Sequence, residues 1–68
     1  MNKLLLKYFM AQHQDTNDSL AEKIGIGKVS FSNKMNELGR SRFNIQEVAK
    51  IREIYQLEDK DFLDIFFK

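Results

Sequence analysis

Apolar and polar residues alternate with helical spacing from the first residues of the chain. Between residues 3 and 12 the apolar positions fall at i, i+1, i+4 and i+5, which places them on one face of a helix. The stripe consists of Leu5, Leu6, Phe9 and Met10, and Leu4 and Tyr8 widen it. The pattern predicts a first helix over Lys3–Gln12, followed by a polar connection in which His13 has no chemical role.

The next segment predicts a short second helix that ends in a tight turn. Thr16 is a suitable N-cap, with Ser19 at the position where a capping box would favour Glu or Gln. Gly25 follows the last apolar residue of the helix, at a position where a left-handed backbone conformation suits glycine. The inward residues are expected to be Leu20, Ala21 and Ile24, with Ile26 filling the corner after the turn.

A third helix is expected directly after this turn. It should begin at about Gly27 and continue to Asn36 or Leu38, about residues 27–37, with Gly39 ending it. Its inward residues would be Phe31, Met35 and Leu38, at i, i+4 and i+7. The other side of this helix is left facing outward, and it carries small and polar side chains.

Two further helices complete the pattern. Asn44 and Glu47 have the spacing of a capping box at the start of the fourth helix. Its apolar face is Val48, Ile51, Ile54 and Tyr55, and Leu57 closes the following loop. The fifth helix should begin at Glu58 or Asp59, with Phe62, Ile65 and Phe66 on one face and Leu63 and Phe67 on another. The chain is therefore expected to form a compact all-α domain of five helices over residues 1–68.

Composition narrows the possible functions. The chain has 68 residues, no cysteine and one histidine, which cannot form a metal cluster by itself. No apolar run approaches the roughly 18 residues that a membrane span needs. No catalytic Ser/His/Asp set and no glycine-rich phosphate loop is present. We therefore expect a cytoplasmic protein with no enzyme activity, cofactor, metal or small-molecule ligand.

The charge distribution is more informative than the net charge of +1. Residues 28 to 43 contain four cations and one carboxylate, a local net charge of +3. The cations are Lys28, Lys34, Arg40 and Arg42. A segment that is basic at both ends of one helix is typical of a face that contacts phosphates, although an ordinary solvated surface is an equal alternative on charge alone.

The outward side of the third helix has the chemistry of a DNA-reading surface. Asn33 can bind the N6/N7 edge of adenine, and Lys28 can donate to guanine O6/N7. Val29 would contact a thymine methyl group, and Ser32 would permit close approach. Lys28 also lies in the first turn of its helix, where the helix dipole disfavours a cation. Because no other residue in the sequence visibly offsets this unfavourable interaction, Lys28 is a candidate for a functional role.

The segment from Leu20 to Asn36, with Leu20-Ala21, Ile24-Gly25-Ile26 and Phe31-Ser32, resembles the helix-turn-helix of the phage repressor and Cro family. The later segments Arg42 to Ile51 and Phe62 to Phe67 are similar to a phage and prophage subgroup. The resemblance implies a lambda-repressor-like DNA-binding domain that acts in the cytoplasm of a host bacterial cell. It implies base contacts from Lys28, Val29, Ser32 and Asn33, and DNA backbone contacts from Asn17, Asn36, Arg40 and Arg42. Asn17 replaces the more usual glutamine, and Gly27 replaces a serine or threonine cap.

Two functions follow as alternatives. The first is a Cro- or repressor-like regulator that binds a palindromic operator in double-stranded DNA as a homodimer, with Leu63 and Phe67 as surplus apolar surface for self-association. The second is a small helical interaction module, antitoxin- or anti-repressor-like, that acts through its apolar C-terminal helix. A helical domain that never contacts nucleic acid is a third, less favoured interpretation of the same motif.

Overall fold

The computed structural model describes residues 1–67 of the chain. They form five helices: α1 (Lys3–Gln12), α2 (Asn17–Ile24), α3 (Lys28–Met35), α4 (Ile45–Tyr55) and α5 (Asp59–Phe66). This part of the chain contains no strand, so the expected all-α architecture of five helices is confirmed. None of these helices has both the length and the apolar content needed to cross a bilayer.

Two of the helices begin with complete capping boxes. At the start of α2, Thr16 Oγ1 accepts the Ser19 N–H at 3.1 Å and Ser19 Oγ accepts the Thr16 N–H at 2.8 Å. At the start of α4, Asn44 Oδ1 accepts the Glu47 N–H at 2.8 Å and Glu47 Oε1 accepts the Asn44 N–H at 2.9 Å. Both predicted N-caps are confirmed, and a serine hydroxyl takes the place of the expected Glu or Gln in the first box.

Helices α1 to α4 are each followed by a residue in the left-handed conformation. The φ angle is +58° at Gln14, +82° at Gly25, +52° at Glu37 and +50° at Gln56. After each of these residues, the next N–H bonds to the carbonyl oxygen five positions earlier, as in a Schellman motif. The third helix therefore ends sooner than expected, because Glu37 makes this turn and Gly39 lies in the loop beyond it.

The core is formed by residues from all five helices. Phe43, from the loop between α3 and α4, packs edge-on against Phe31 at 5.4 Å between ring centroids and against Phe66 at 6.5 Å. Phe31 of α3 is fully buried, and this loop residue covers part of its ring. The buried hydrophobic residues are Leu6, Met10, Leu20, Ala21, Ile24, Phe31, Met35, Ile51, Tyr55, Leu57 and Ile65.

Three residues that were expected in the core are exposed. Leu38 is 56% exposed because it follows the left-handed turn at Glu37 and does not continue the inward face of α3. Leu4 and Tyr8 are 77% and 55% exposed, since the buried side of α1 is centred on Leu6. The predicted core of the third helix is therefore correct at its first two positions and wrong at the last.

Candidate nucleic-acid interface

The turn between α2 and α3 is closed by backbone hydrogen bonds at Gly25. Its N–H bonds to the Glu22 carbonyl oxygen at 3.1 Å, and the Ile26 N–H bonds to the Ala21 carbonyl oxygen at 3.0 Å. A side chain at the +82° φ of Gly25 would be strained. Ala21 is fully buried beside the turn, and Gly27 then serves as the N-cap of α3. This geometry fixes the direction in which α3 leaves α2.

Helix α3 buries one side and presents the other to solvent. Its buried residues are Phe31 and Met35. Val29 is 75% exposed, and Ser32 and Asn33 are partly exposed. The side chains of Ser32 and Asn33 form no hydrogen bond within residues 1–67, so their donors and acceptors are available to a partner. The four residues predicted to read bases, Lys28, Val29, Ser32 and Asn33, therefore lie on the accessible part of this helix.

Lys28 has a partner that the sequence did not reveal. Its Nζ lies 3.4 Å from Asp18 Oδ2, on the first turn of α2. The side chains are 74% and 63% exposed, so this is a surface ion pair of small energy. The interpretation of Lys28 as an uncompensated cation is therefore wrong, although the ammonium group remains accessible to a ligand that can displace Asp18.

The four residues predicted to contact the DNA backbone differ in whether their side chains already form bonds within the protein. Asn17 and Arg40 are exposed, and their side chains form no bond within the part of the chain that the structure describes. Arg42 pairs with Glu37 at 3.0 Å, and its Nη1 donates to the carbonyl oxygens of residues 37, 39 and 41. Asn36 follows the end of α3 and accepts a hydrogen bond from Lys3. Arg42 thus stabilises the loop between α3 and α4, and a phosphate would have to share its donors.

Lys34 belongs to the scaffold and not to the exposed basic surface. Its Nζ donates to both carboxylate oxygens of Glu47, at 2.9 and 2.7 Å, and the two side chains are 20% and 9% exposed. Burial by itself would raise the pKa of Glu47, but the bonds from Lys34 and from the Asn44 N–H outweigh it and lower that pKa. The capping box predicted Glu47, whereas its pairing with α3 had no sequence signal.

A second polar cluster joins the loop before α2 to α4. The buried carboxylate of Asp15 accepts hydrogen bonds from Lys23 Nζ at 2.8 Å, Ser19 Oγ at 2.8 Å and the Tyr55 hydroxyl at 2.7 Å. His13 stacks on the Tyr55 ring at 4.5 Å, where the sequence predicted only a loop residue. This cluster ties α2 to the rest of the domain, and nothing in the spacing of these residues predicted it.

A third feature is an apolar groove beside α4 and α5. The groove has a volume of about 290 Å³ and is lined mainly by residues of the loop after α3, of α4 and of α5, together with Met1 and Lys34. Its apolar lining includes Phe43, Val48, Phe62 and Phe66. The residues predicted for dimerisation, Leu63 and Phe67, are 49% and 66% exposed, and Ile45 at the groove is 87% exposed. The structure thus contains the surplus apolar surface that the sequence suggested, with Ile45 as an addition.

Comparison of the chain with models of protein families, with curated proteins and with solved structures found no match. Residues 1–67 also bring together no group of three His, Cys, Asp or Glu side chains that would hold a metal ion. Within residues 1–67, the exposed side of α3 and the turn that holds it bring together the residues predicted to read bases.

Proposed function

We propose that the protein is a sequence-specific DNA-binding regulator of transcription, Cro- or repressor-like, that acts in the bacterial cytoplasm. In this proposal α3 enters the major groove of a palindromic operator. The observation that carries it is the accessible polar face of α3, where the side chains of Ser32 and Asn33 form no hydrogen bond within residues 1–67, on a helix held in place by the Gly25 turn and by the buried Phe31. A B-DNA major groove admits one α-helix, and its base edges match the amide of Asn33 and the ammonium of Lys28.

The operator can be obtained by enriching binding sites from random duplex DNA. Asn33→Ala and Lys28→Ala should then weaken binding to the enriched duplex by about 1–3 kcal/mol and have much less effect on random DNA. Arg40→Ala should weaken binding to both duplexes and reduce the salt dependence. Arg40 is the better choice for this comparison than Arg42, whose removal would also disturb the loop. Equal effects of Asn33→Ala and Arg40→Ala on both duplexes would refute the assignment.

The operator-bound form is proposed to be a homodimer. A single small domain makes few contacts, and repressors of this type bind two half-sites about 34 Å apart. Leu63, Phe67 and Ile45 are the apolar residues proposed to pair the two copies. Sedimentation at high protein concentration should show a dimer, and Phe67→Ser should shift it to the monomer. A monomer at all concentrations, together with an enriched motif of one half-site, would contradict this proposal.

The same apolar groove favours the second candidate function, a module that binds another protein. Salt-insensitive or absent binding to duplex DNA, with a stoichiometric partner in a pull-down that Phe67→Ser abolishes, would favour this function over DNA binding.

A further inference from the structure

Lys3 connects the start of α1 to the end of α3. Its Nζ donates a hydrogen bond of 2.8 Å to Oδ1 of Asn36, the residue that follows α3. The two residues are 33 positions apart, so the contact depends on the tertiary fold. Asn36 is exposed, which leaves the far side of its amide open to solvent. A cation from α1 therefore lies against the end of the proposed reading helix.

The carboxyl end of α3 needs such a cation if a phosphate is to approach it. The aligned peptide dipoles of a helix give its carboxyl end a partial negative charge, which repels anions. Lys34, in the last turn of α3, is already bound to both oxygens of Glu47. Lys3 supplies positive charge from another helix, where α3 itself has none to spare.

The same contact fixes the orientation of the Asn36 amide. An ammonium group has only donors, so it must face the amide oxygen and not the NH2 group. The two N–H donors of Asn36 are then directed away from Lys3. An anionic oxygen beside this pair would meet amide donors and the ammonium charge together.

A lysine is also unusual at the first position of a helix, where Lys3 lies in α1. Helices α1 and α3 have no acid in their first turns, and each begins with a lysine, Lys3 or Lys28. Helices α2, α4 and α5 all have acids in their first turns, as the helix dipole favours. The two lysines lie at opposite ends of α3, because Lys3 contacts Asn36, and Lys28 is paired with Asp18 of α2. A helix of eight residues rises about 12 Å, close to the width of the major groove.

We propose that Lys3 and Asn36 form a phosphate clamp at the carboxyl end of α3, with Lys3 both binding the phosphate and orienting the Asn36 amide. This inference rests on the proposed DNA-binding function. It adds α1 to the interface, where the sequence had placed only α2, α3 and the loop after α3.

The test compares Lys3→Met with Lys60→Met, which removes the same charge from an exposed position on α5. Binding to the enriched duplex and to a random duplex is measured by fluorescence anisotropy at several salt concentrations. Lys3→Met should reduce the slope of log K against log salt by about one on both duplexes, and Lys60→Met should leave it unchanged. Lys3→Arg keeps the charge and the donors, so it should restore the slope.

The orienting role has its own readout. Asn36→Ala should weaken binding several-fold in the wild-type protein and much less in the Lys3→Met background, because the amide is no longer directed outward there. Equal losses in the two backgrounds would overturn the orienting role, and a Lys3→Met slope equal to that of Lys60→Met would overturn the clamp. Failure of the wild-type protein to bind either duplex would instead refute the DNA-binding function itself, and the clamp with it.

Discussion

Removal of one hydroxyl group, in Tyr55→Phe, should destabilise the whole domain. The Tyr55 hydroxyl donates to Asp15 Oδ2 at 2.7 Å, and the Asp15 side chain is 3% exposed. Phenylalanine keeps the ring that fills the core and stacks on His13. The change therefore isolates the hydrogen bond that joins α4 to the loop before α2.

The size of the effect follows from the charge on Asp15. A hydrogen bond to a charged group contributes about 1.5–3 kcal/mol to stability. Asp15 keeps its bonds from Lys23 and Ser19 in the variant, so we expect a loss near the lower end, about 1.5–2 kcal/mol. In a domain of this size such a loss lowers Tm by roughly 6–16 °C.

The effect should also depend on pH in a defined direction. Burial tends to raise the pKa of Asp15, but the hydrogen bonds from Lys23, Tyr55 and Ser19 outweigh it, so the pKa lies below its usual value. A lowered pKa in the folded state gives stability that is present above about pH 4 and is lost as the pH falls through the folded pKa. Burial and the nearby Asp15 raise the pKa of Tyr55, so its hydroxyl stays protonated over this range.

Urea unfolding followed by far-UV circular dichroism, at about pH 7 and at about pH 3, measures both effects. The difference between wild type and Tyr55→Phe should be smaller at the lower pH. Tyr8→Phe is the matched control, because the exposed Tyr8 hydroxyl bonds only to Gln12 among residues 1–67, and it should change stability by less than about 0.5 kcal/mol. A Tyr55→Phe effect equal to that of Tyr8→Phe, or independent of pH, would refute the reasoning.

Three further predictions concern the helix ends and the charges around α3. Gln56→Gly should stabilise the protein by about 0.5–1 kcal/mol in urea unfolding, because glycine suits the left-handed conformation there; a loss of stability would contradict this. Lys34→Met should remove the cation that pairs with Glu47 and cost about 2–3 kcal/mol, less than for a fully buried pair because Glu47 keeps its bond from the Asn44 N–H. The salt slope of DNA binding should not change, and a slope reduced by about one would make Lys34 a phosphate contact. Asp18→Asn should tighten binding to any duplex a few-fold at low salt, because it removes a carboxylate and releases Lys28 from its ion pair. An unchanged affinity would place α2 away from the DNA.

Local signals in the sequence predicted the helices well. Apolar periodicity identified all five helices, and the side chains of Thr16 and Asn44 marked two of their starts, because capping is a contact between residues three positions apart. The helix ends were harder to predict. Gly25 marked one correctly, whereas Gln14 and Glu37 adopt the left-handed conformation without being glycine. Nothing local distinguishes such a residue from one inside a helix.

The candidate site was predictable only as far as it depends on one helix. The outward face of α3 followed from its inward residues, apart from Leu38 beyond the early helix end. The local charge of residues 28 to 43 was misleading, since two of its four cations, Lys28 and Lys34, pair with carboxylates of α2 and α4 that lie outside the segment. Contacts such as that of Lys3 with Asn36 arise only when distant helices pack together. A count of charges along the chain cannot reveal them.

The most direct measurement is a titration of the 15N-labelled protein with the enriched duplex, followed by backbone and side-chain amide chemical shifts. If α3 reads the major groove, the largest shifts should occur at Val29, Ser32 and Asn33, including the Asn33 side-chain amide. The amide shifts of residues that line the apolar groove of the protein, such as Ala49, should change little in comparison. Largest shifts at Ala49 and Phe67, or no shifts at any duplex concentration, would contradict a DNA-reading role for α3.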